Sequence, residues 1–258
     1  MTLASIAPSE THLKRRVDGY LWNNPSVPAR RLREQLNEFK SLGEIAIIGG
    51  MIRDLAREGR SGFKSDVDFV IDCDPDVVEE FALERGASKN RFGGYCFLTP
   101  HWKLDFWALE RTWARTEGHV KIRRLEDLIK CTFFDVDAIV YLLNCQRLYA
   151  REKYLENLLR GEIDINLLPN PSIEGNMVRG IRRILSWNYL PGPRLKGFFE
   201  KHLTNDMFAH VVNVERKLYG SSHAAHYGSA SNLMDALCTR ERRRRRLHGT
   251  PWQVSLPF

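Results

Sequence analysis

The sequence has 258 residues, with 39 Lys and Arg against 32 Asp and Glu, a net charge of +7, and 43% hydrophobic and 28% charged side chains. That is the composition of a folded globular chain, and it excludes disordered, collagen-like and coiled-coil proteins. No run reaches the roughly 18 consecutive apolar residues of a membrane span, the N-terminus MTLASIAPSETHLKRR lacks the basic-then-apolar order of a signal peptide, and the five cysteines form no CxxC pair, so a soluble protein of the reducing cytoplasm is expected, without a disulfide framework or a thiolate zinc site.

In chain order, PARRLREQLNEFKSLG (28–43) predicts a helix, since Leu32, Leu36, Phe39 and Leu42 recur at helical spacing. EIAII (44–48) is a short Ile-rich strand that Gly49-Gly50 breaks, and MIRDLAREGR (51–60) is a second helix. VDFVID (67–72) is a strand, and PDVVEEFALERG (75–86) is a helix with Pro at its start and Gly at its end. RFGGYCFL and HWKLDFWAL predict paired strands, with Gly93-Gly94 at a turn or bulge. From about 123 the pattern is helical in period, through RRLEDLIKCTFFDVDAIVYLLNCQRLYAREKYLENLLRG and, after Pro169 and Pro171, through NMVRGIRRILSWNYL and RLKGFFEKHLTNDMFAHVVNVERKLYG. The expected organisation is an N-terminal helical extension (1–35), an α/β head (36–145), a helical region (146–240) and a basic tail (241–258). Charge follows this division. Residues 1–145 carry 21 basic and 22 acidic side chains, whereas 146–258 carry 18 and 10. The whole positive excess lies in the C-terminal part, which suits a polyanion partner there.

The chemistry concentrates in IAIIGGMIRDLAREGRSGFKSDVDFVID (45–72). Gly49 and Gly50 let the backbone approach a ligand closely, and the helix that follows offers N–H groups to a phosphate. Asp66 and Asp68 stand two apart at a strand's start, so both point to one face. Two carboxylates on one face suit Mg²⁺, a hard ion that shares its oxygen ligands with substrate phosphates. Asp105, between Leu104 and Phe106 in an apolar strand, faces opposite to those neighbours, toward an active surface or toward an ion pair with Arg111 or His101. Arg53 suits either a triphosphate or a local pair with Asp54. Trp102, Phe106, Trp107 and Trp113 are expected in core packing rather than as a base-stacking platform.

The block GGMIRD followed by SDVDFV resembles the GG-x-x-R-D … D-x-D signature of the polymerase-β-like nucleotidyltransferases, and most closely the head of bacterial poly(A) polymerases and class II CCA-adding enzymes. The similarity covers roughly 36–190, and NMVRGIRRIL (176–185) resembles the arginine-rich helix after that head. The resemblance implies an α+β fold: a mixed-sheet nucleotidyltransferase head, then a helical C-terminal domain. It implies two Mg²⁺ ions on Asp66, Asp68 and Asp105, with Asp105 also placed to take the proton of the attacking hydroxyl. It implies NTP contacts from Gly49, Gly50, Arg53, Ser65, Arg179 and Arg182, and transfer of a nucleoside monophosphate to an RNA 3′ end, tRNA among the candidates. Arg242, Arg243, Arg244, Arg245 and Arg246 are the expected RNA contacts.

Two blocks depart from that family. CTFFDVDA (131–138) stands where R-R-D-F-x-x-N-A is usual, with Cys131 and Thr132 for the arginines, Phe133 for the acid and Asp137 for the Asn. Gly175-Asn176 replaces the Glu-Asp pair that selects the incoming base. Metal and triphosphate handling are thus expected to persist while ribose and base selection change. A protein hydroxyl or a small nucleotide as acceptor, or a non-catalytic RNA-binding role, are the alternative expectations.

Overall fold

A computed structural model describes residues 6–63 and 66–239, so Ser65 and the run Arg242–Arg246 lie outside the described residues. The chain divides into two compact units, the first ending at Leu159 and the second beginning at Arg160. This is later than position 145, because a further strand, Arg147–Ala150, and most of the helix Tyr154–Arg160 belong to the first unit.

The first unit opens with α1 (Glu10–Leu21), which the Ser9 hydroxyl caps by accepting the His12 N–H, and which buries Leu13, Val17, Tyr20 and Leu21 at helical spacing. Capped in the same way by Ser26, α2 (Val27–Phe39) buries Leu32, Leu36 and Phe39. Then come β1 (Glu44–Ile48), α3 (Gly50–Glu58), β2 (Val67–Asp72), α4 (Pro75–Glu84), β3 (Ser88–Lys89), β4 (Tyr95–Leu98) and β5 (Lys103–Ala108). A short α5 (Trp113–Thr116), β6 (Ile139–Leu142), β7 (Arg147–Ala150) and α6 (Tyr154–Arg160) complete the series.

The strands form one mixed sheet in the order β3-β4-β5-β2-β1-β6-β7. Only β2 and β5 run parallel; every other neighbouring pair is antiparallel. The sheet has two dressed faces, as the period of two requires. On one, the Phe39 ring of α2 lies 4.9 Å from Phe69, 4.9 Å from Phe81 of α4 and 4.8 Å from Phe106. Burial of such a ring contributes about 1.5–3 kcal/mol. On the other, Ala46, Val70, Val140 and Leu142 pack with Leu109, Ile122, Leu125 and Leu128. The N-terminal extension belongs to this core as well: Arg16 Nη1 donates to the Leu55 and Ala56 carbonyls of α3 at 3.2 and 3.1 Å.

The helical period expected from 123 to about 150 gives way to a β-hairpin. AIVYLL (138–143) is buried throughout, because β6 lies between β1 and β7. A strand buried on both faces loses the polar–apolar alternation that marks a strand, and its continuous apolar run mimics a helix. Gln146, at φ 54°, turns the chain between β6 and β7.

Among its described residues the second unit contains a two-stranded parallel pair, β8 (Glu162–Ile163) and β9 (Leu190–Pro191), and four α-helices. These are α7 (Ile173–Trp187), α8 (Pro193–His202), α9 (Asn205–Tyr219) and α10 (Ala230–Cys238). Ser172, Thr204 and Ser229 cap α7, α9 and α10, and Asn188 and Gly220 end α7 and α9 in the left-handed conformation. Among the described residues no helix is long and apolar enough to cross a membrane.

Candidate active site

The end of β1 sets up the site. Ile48, its last residue, is in register with Asp68 of β2. The next residue, Gly49, adopts φ 62°, ψ −111°, a conformation that L side chains rarely adopt. Its N–H donates to the Ile139 carbonyl at 3.1 Å, which ties the turn to β6. Helix α3 starts at Gly50, and its first-turn N–H groups have no intrahelical acceptors. Gly49 and Gly50 thus occupy the strand-to-helix turn that the sequence implied.

The carboxylates gather by register. Asp68 pairs with Asp105 across the parallel strands β2 and β5. Leu104 and Phe106, the neighbours of Asp105, are fully buried on the opposite face, so Asp105 points where the strand alternation predicts. Asp66 lies immediately before β2 and is exposed. Lys103 joins the group, because positions 103 and 105 of β5 share a face. Its Nζ donates to Asp66 Oδ2 at 2.9 Å and to Asp105 Oδ2. Asp105 therefore pairs with Lys103, rather than with the Arg111 or His101 considered from sequence. Burial, followed by the charges of Asp105 and Asp66, pushes the Asp68 carboxyl up to about 7 against the opposing pull of Lys103. Asp137 contributes in the same direction.

A second ion-pair cluster stands beside the first. Arg53 is buried between two acids, donating to Asp54 Oδ1 through Nε at 2.9 Å and to Asp137 Oδ1 through Nη1 at 2.6 Å. Burial opposes its charge, but Asp137 and Asp54 outweigh that and hold its pKa above the ordinary value. Of the two roles open to Arg53 from sequence, the geometry displays the local pair, extended by Asp137. The aromatic residues take packing roles: Trp102 stacks on Phe63 at 5.1 Å, and its Nε1 donates to the Pro28 carbonyl at 2.8 Å.

The donor set suits the Mg²⁺ that the resemblance implies. Carboxylate oxygens are the ligands this ion prefers, and the raised Asp68 carboxyl marks negative charge that a single ammonium leaves uncompensated. The fit is one of chemistry and strand register, not of present rotamers. Among the described residues, no group of three or more His, Cys, Asp or Glu side chains stands in a ligating arrangement.

The second unit holds the remaining candidates. Asn176 is buried in α7, and its Oδ1 accepts from Arg179 Nη2 at 2.6 Å, while Arg179 Nε donates to the Gly175 carbonyl at 3.2 Å. Arg182 is committed elsewhere. Its Nη1 donates to Oε1 of the wholly buried Glu215 at 2.8 Å, and its guanidinium lies 3.9 Å over the Tyr219 ring. Glu215 also accepts from the Ser222 hydroxyl at 2.6 Å and the Ala224 N–H at 3.1 Å. Sequence reasoning passed over Glu215 and Lys103. The strand period held the signal for Lys103, whereas the partnership of Arg182 with Glu215 crosses between helices and left none.

No protein-family model matches the sequence, and no curated protein does. Solved structures match by fold. The CCA-adding enzyme of Bacillus stearothermophilus in complex with CTP aligns with a TM-score of 0.53 and 18% identity, over 78% of this chain and 50% of that one. A tRNA-processing enzyme in an apo form aligns with a TM-score of 0.50 and 17% identity, over 89% of this chain and 61% of that one. The chain spans less than two thirds of the length of these proteins. At such identity the likeness is one of architecture, and the chain shares the fold of these enzymes.

Proposed function

We propose that the chain transfers a nucleoside monophosphate from an NTP to an RNA 3′ end with release of pyrophosphate. The observation that carries this is the pairing of Asp68 with Asp105 across parallel strands, next to Asp66 and level with a Gly-Gly turn into a helix. With Mg²⁺ held by Asp66, Asp68 and Asp105, the metal chemistry would be charge stabilisation on the triphosphate and a lowered pKa at the attacking hydroxyl. The chain's own groups do the rest. The Gly49-Gly50 turn leaves room for phosphate oxygens, and the first-turn N–H groups of α3 donate to them. Ser65 is the neighbouring hydroxyl donor proposed from sequence. Arg53, fixed by Asp54 and Asp137, contributes positive charge from a set position instead of reaching out as a mobile ligand. Asp105, beside Asp68, is the carboxylate placed to take the proton of the attacking hydroxyl.

An NTP as donor is supported by the CTP complex of the CCA-adding enzyme that shares this fold. RNA as acceptor is supported by the positive excess of residues 146–258 and by the five arginines 242–246. On this proposal Arg179 serves the nucleotide, while Arg182 positions α7 through Glu215. A cytoplasmic setting, where NTPs and RNA meet, completes the proposal.

A second reading, transfer to a protein hydroxyl or formation of a small signalling nucleotide, draws on the replaced blocks at 131–138 and 175–176. One experiment separates the two. The protein is incubated with each labelled NTP, Mg²⁺ and total cell RNA, and label is followed into RNA, protein and small products. Label in RNA that disappears in Asp66→Ala, with a loss of at least about 10³-fold, supports RNA transfer. Label in protein or a small product favours the second reading. No metal-dependent transfer from any NTP overturns both.

A further inference from the structure

We propose that Lys103 is a built-in counter-cation of the acid cluster that must leave for a metal to enter, so that it sets the metal affinity of the site. The inference rests on the metal-dependent reading of Asp66, Asp68 and Asp105.

Three observations carry it. Lys103 Nζ hydrogen-bonds to one oxygen of Asp66 and one of Asp105 together, the Asp66 contact at 2.9 Å. The ammonium therefore sits on the lone pairs that a cation bridging those carboxylates would use. Mg²⁺ takes carboxylate oxygens at about 2.0–2.1 Å, and two cations at the same lone pairs exclude one another. Second, the placement is built into the strand. Positions 103 and 105 share a face of β5, and Asp105 is in register with Asp68, so the ammonium is brought to the cluster by backbone geometry. Third, the side chain has a way out. Lys103 is 42% exposed and Asp66 52%, and a four-carbon stem lets the charge swing into solvent without moving the sheet.

The group also has a role while it stays. Asp66, Asp68 and Asp105 carry like charges on one face, and Lys103 is the cation hydrogen-bonded to two of them. Arg53, the neighbouring cation, is already shared by Asp54 and Asp137. Metal entry on this account is an exchange: one ammonium leaves, and a divalent ion takes its oxygens. The freed ammonium then stands at the rim of the site, where the phosphate chain of an NTP would meet it, so exchange also frees a positive charge for the nucleotide.

The test is metal binding without nucleotide. Mn²⁺ is titrated into wild type, Lys103→Met, Lys103→Gln and Lys103→Arg, with free Mn²⁺ read by electron paramagnetic resonance at pH 8.5. Removing a partly exposed competitor worth about 1.4 kcal/mol tightens binding about tenfold. Lys103→Met and Lys103→Gln should therefore bind Mn²⁺ about tenfold tighter than wild type, and Lys103→Arg should stay within about threefold of it, since it keeps the charge. Mn²⁺ binding that is unchanged or weaker in folded Lys103→Met and Lys103→Gln overturns the inference and leaves the metal site standing. Mn²⁺ bound by none of the proteins, or bound equally well by an Asp66→Asn, Asp105→Asn double variant, overturns the inference and the metal-dependent reading together.

Discussion

Replacing Asp68 with Asn should stabilise the metal-free protein while destroying its activity. Asp68 carries a carboxyl whose pKa rises from 3.8 to about 7 in the fold, first through burial and then through Asp105 and Asp66. The sign follows from proton counts. Between those two values the folded state holds a proton that the unfolded chain has released, so stability falls as pH rises through that window and levels off above it. At about 1.36 kcal/mol per unit, the full shift corresponds to roughly 4 kcal/mol. Solvent reaches Asp68, which is only partly buried, and screening brings the expected effect to about 2 kcal/mol. Asn keeps the shape and removes the charge. In EDTA at pH 8, urea unfolding of Asp68→Asn should give a midpoint above wild type with an unchanged slope, a gain of about 2 kcal/mol. Toward pH 4 the gap should shrink to roughly a few tenths of a kcal/mol, because the wild-type carboxyl is then neutral in the folded state and only about half ionised in the unfolded one. Saturating Mg²⁺ should raise the wild-type midpoint more than the variant's. A variant no more stable than wild type at pH 8, or a gap that persists unchanged at pH 4, would refute the argument that Asp68 carries uncompensated charge.

Two further predictions concern the C-terminal part. Arg182→Ala removes from the wholly buried Glu215 its guanidinium partner, leaving the Ser222 hydroxyl and the Ala224 N–H as hydrogen-bond donors, and should cost about 3–5 kcal/mol in urea unfolding of the full chain; an effect below about 1 kcal/mol would refute a structural role for the pair. Neutralising Arg242–Arg246 to Gln should weaken RNA binding and flatten its salt dependence, by about 0.7 in log–log slope for each phosphate that an arginine no longer neutralises, with NTP affinity nearly constant. Unchanged RNA affinity and slope across a salt series would remove the tail from the acceptor site.

The head was legible where local chemistry and tertiary role agree. Gly49 is needed at a positive φ, spacing put Asp66 and Asp68 on one face and alternation turned Asp105 away from Leu104 and Phe106, but the pairing of Asp105 with Asp68 needed the register of β2 and β5. Lys103 was legible by the same rule, two residues before Asp105, but lysines on strands are so commonly solvated that the pairing carries no local signature. The hairpin of β6 and β7 was hidden because burial on both faces erases alternation. Arg53 posed a different obstacle. Its partner Asp137 lies 84 positions away along the chain, and only the fold brings Asp137, which stands where the resemblance implies an Asn, to the guanidinium of Arg53.

That replacement changes the electrostatics of the whole site. Among the described residues Asp54, Asp66, Asp68, Asp105 and Asp137 bring five carboxylates to one region, with Arg53 and Lys103 paired to them as cations. An uncharged Asn at 137 would remove one of the two acids that hold Arg53 and free the guanidinium to face a phosphate. Asp137 instead holds it at 2.6 Å, so Arg53 spends much of its field on its own acids, and on the proposed function less of it would reach a triphosphate. A triphosphate approaching such a surface meets net repulsion unless cations come with it or precede it. The two features that sequence reasoning treated separately, an altered 131–138 block and an intact acid set, are therefore one electrostatic arrangement. On the proposed function, the altered block would shift the burden of phosphate neutralisation from Arg53 onto a cation held by Asp66, Asp68 and Asp105, and onto Lys103 once released.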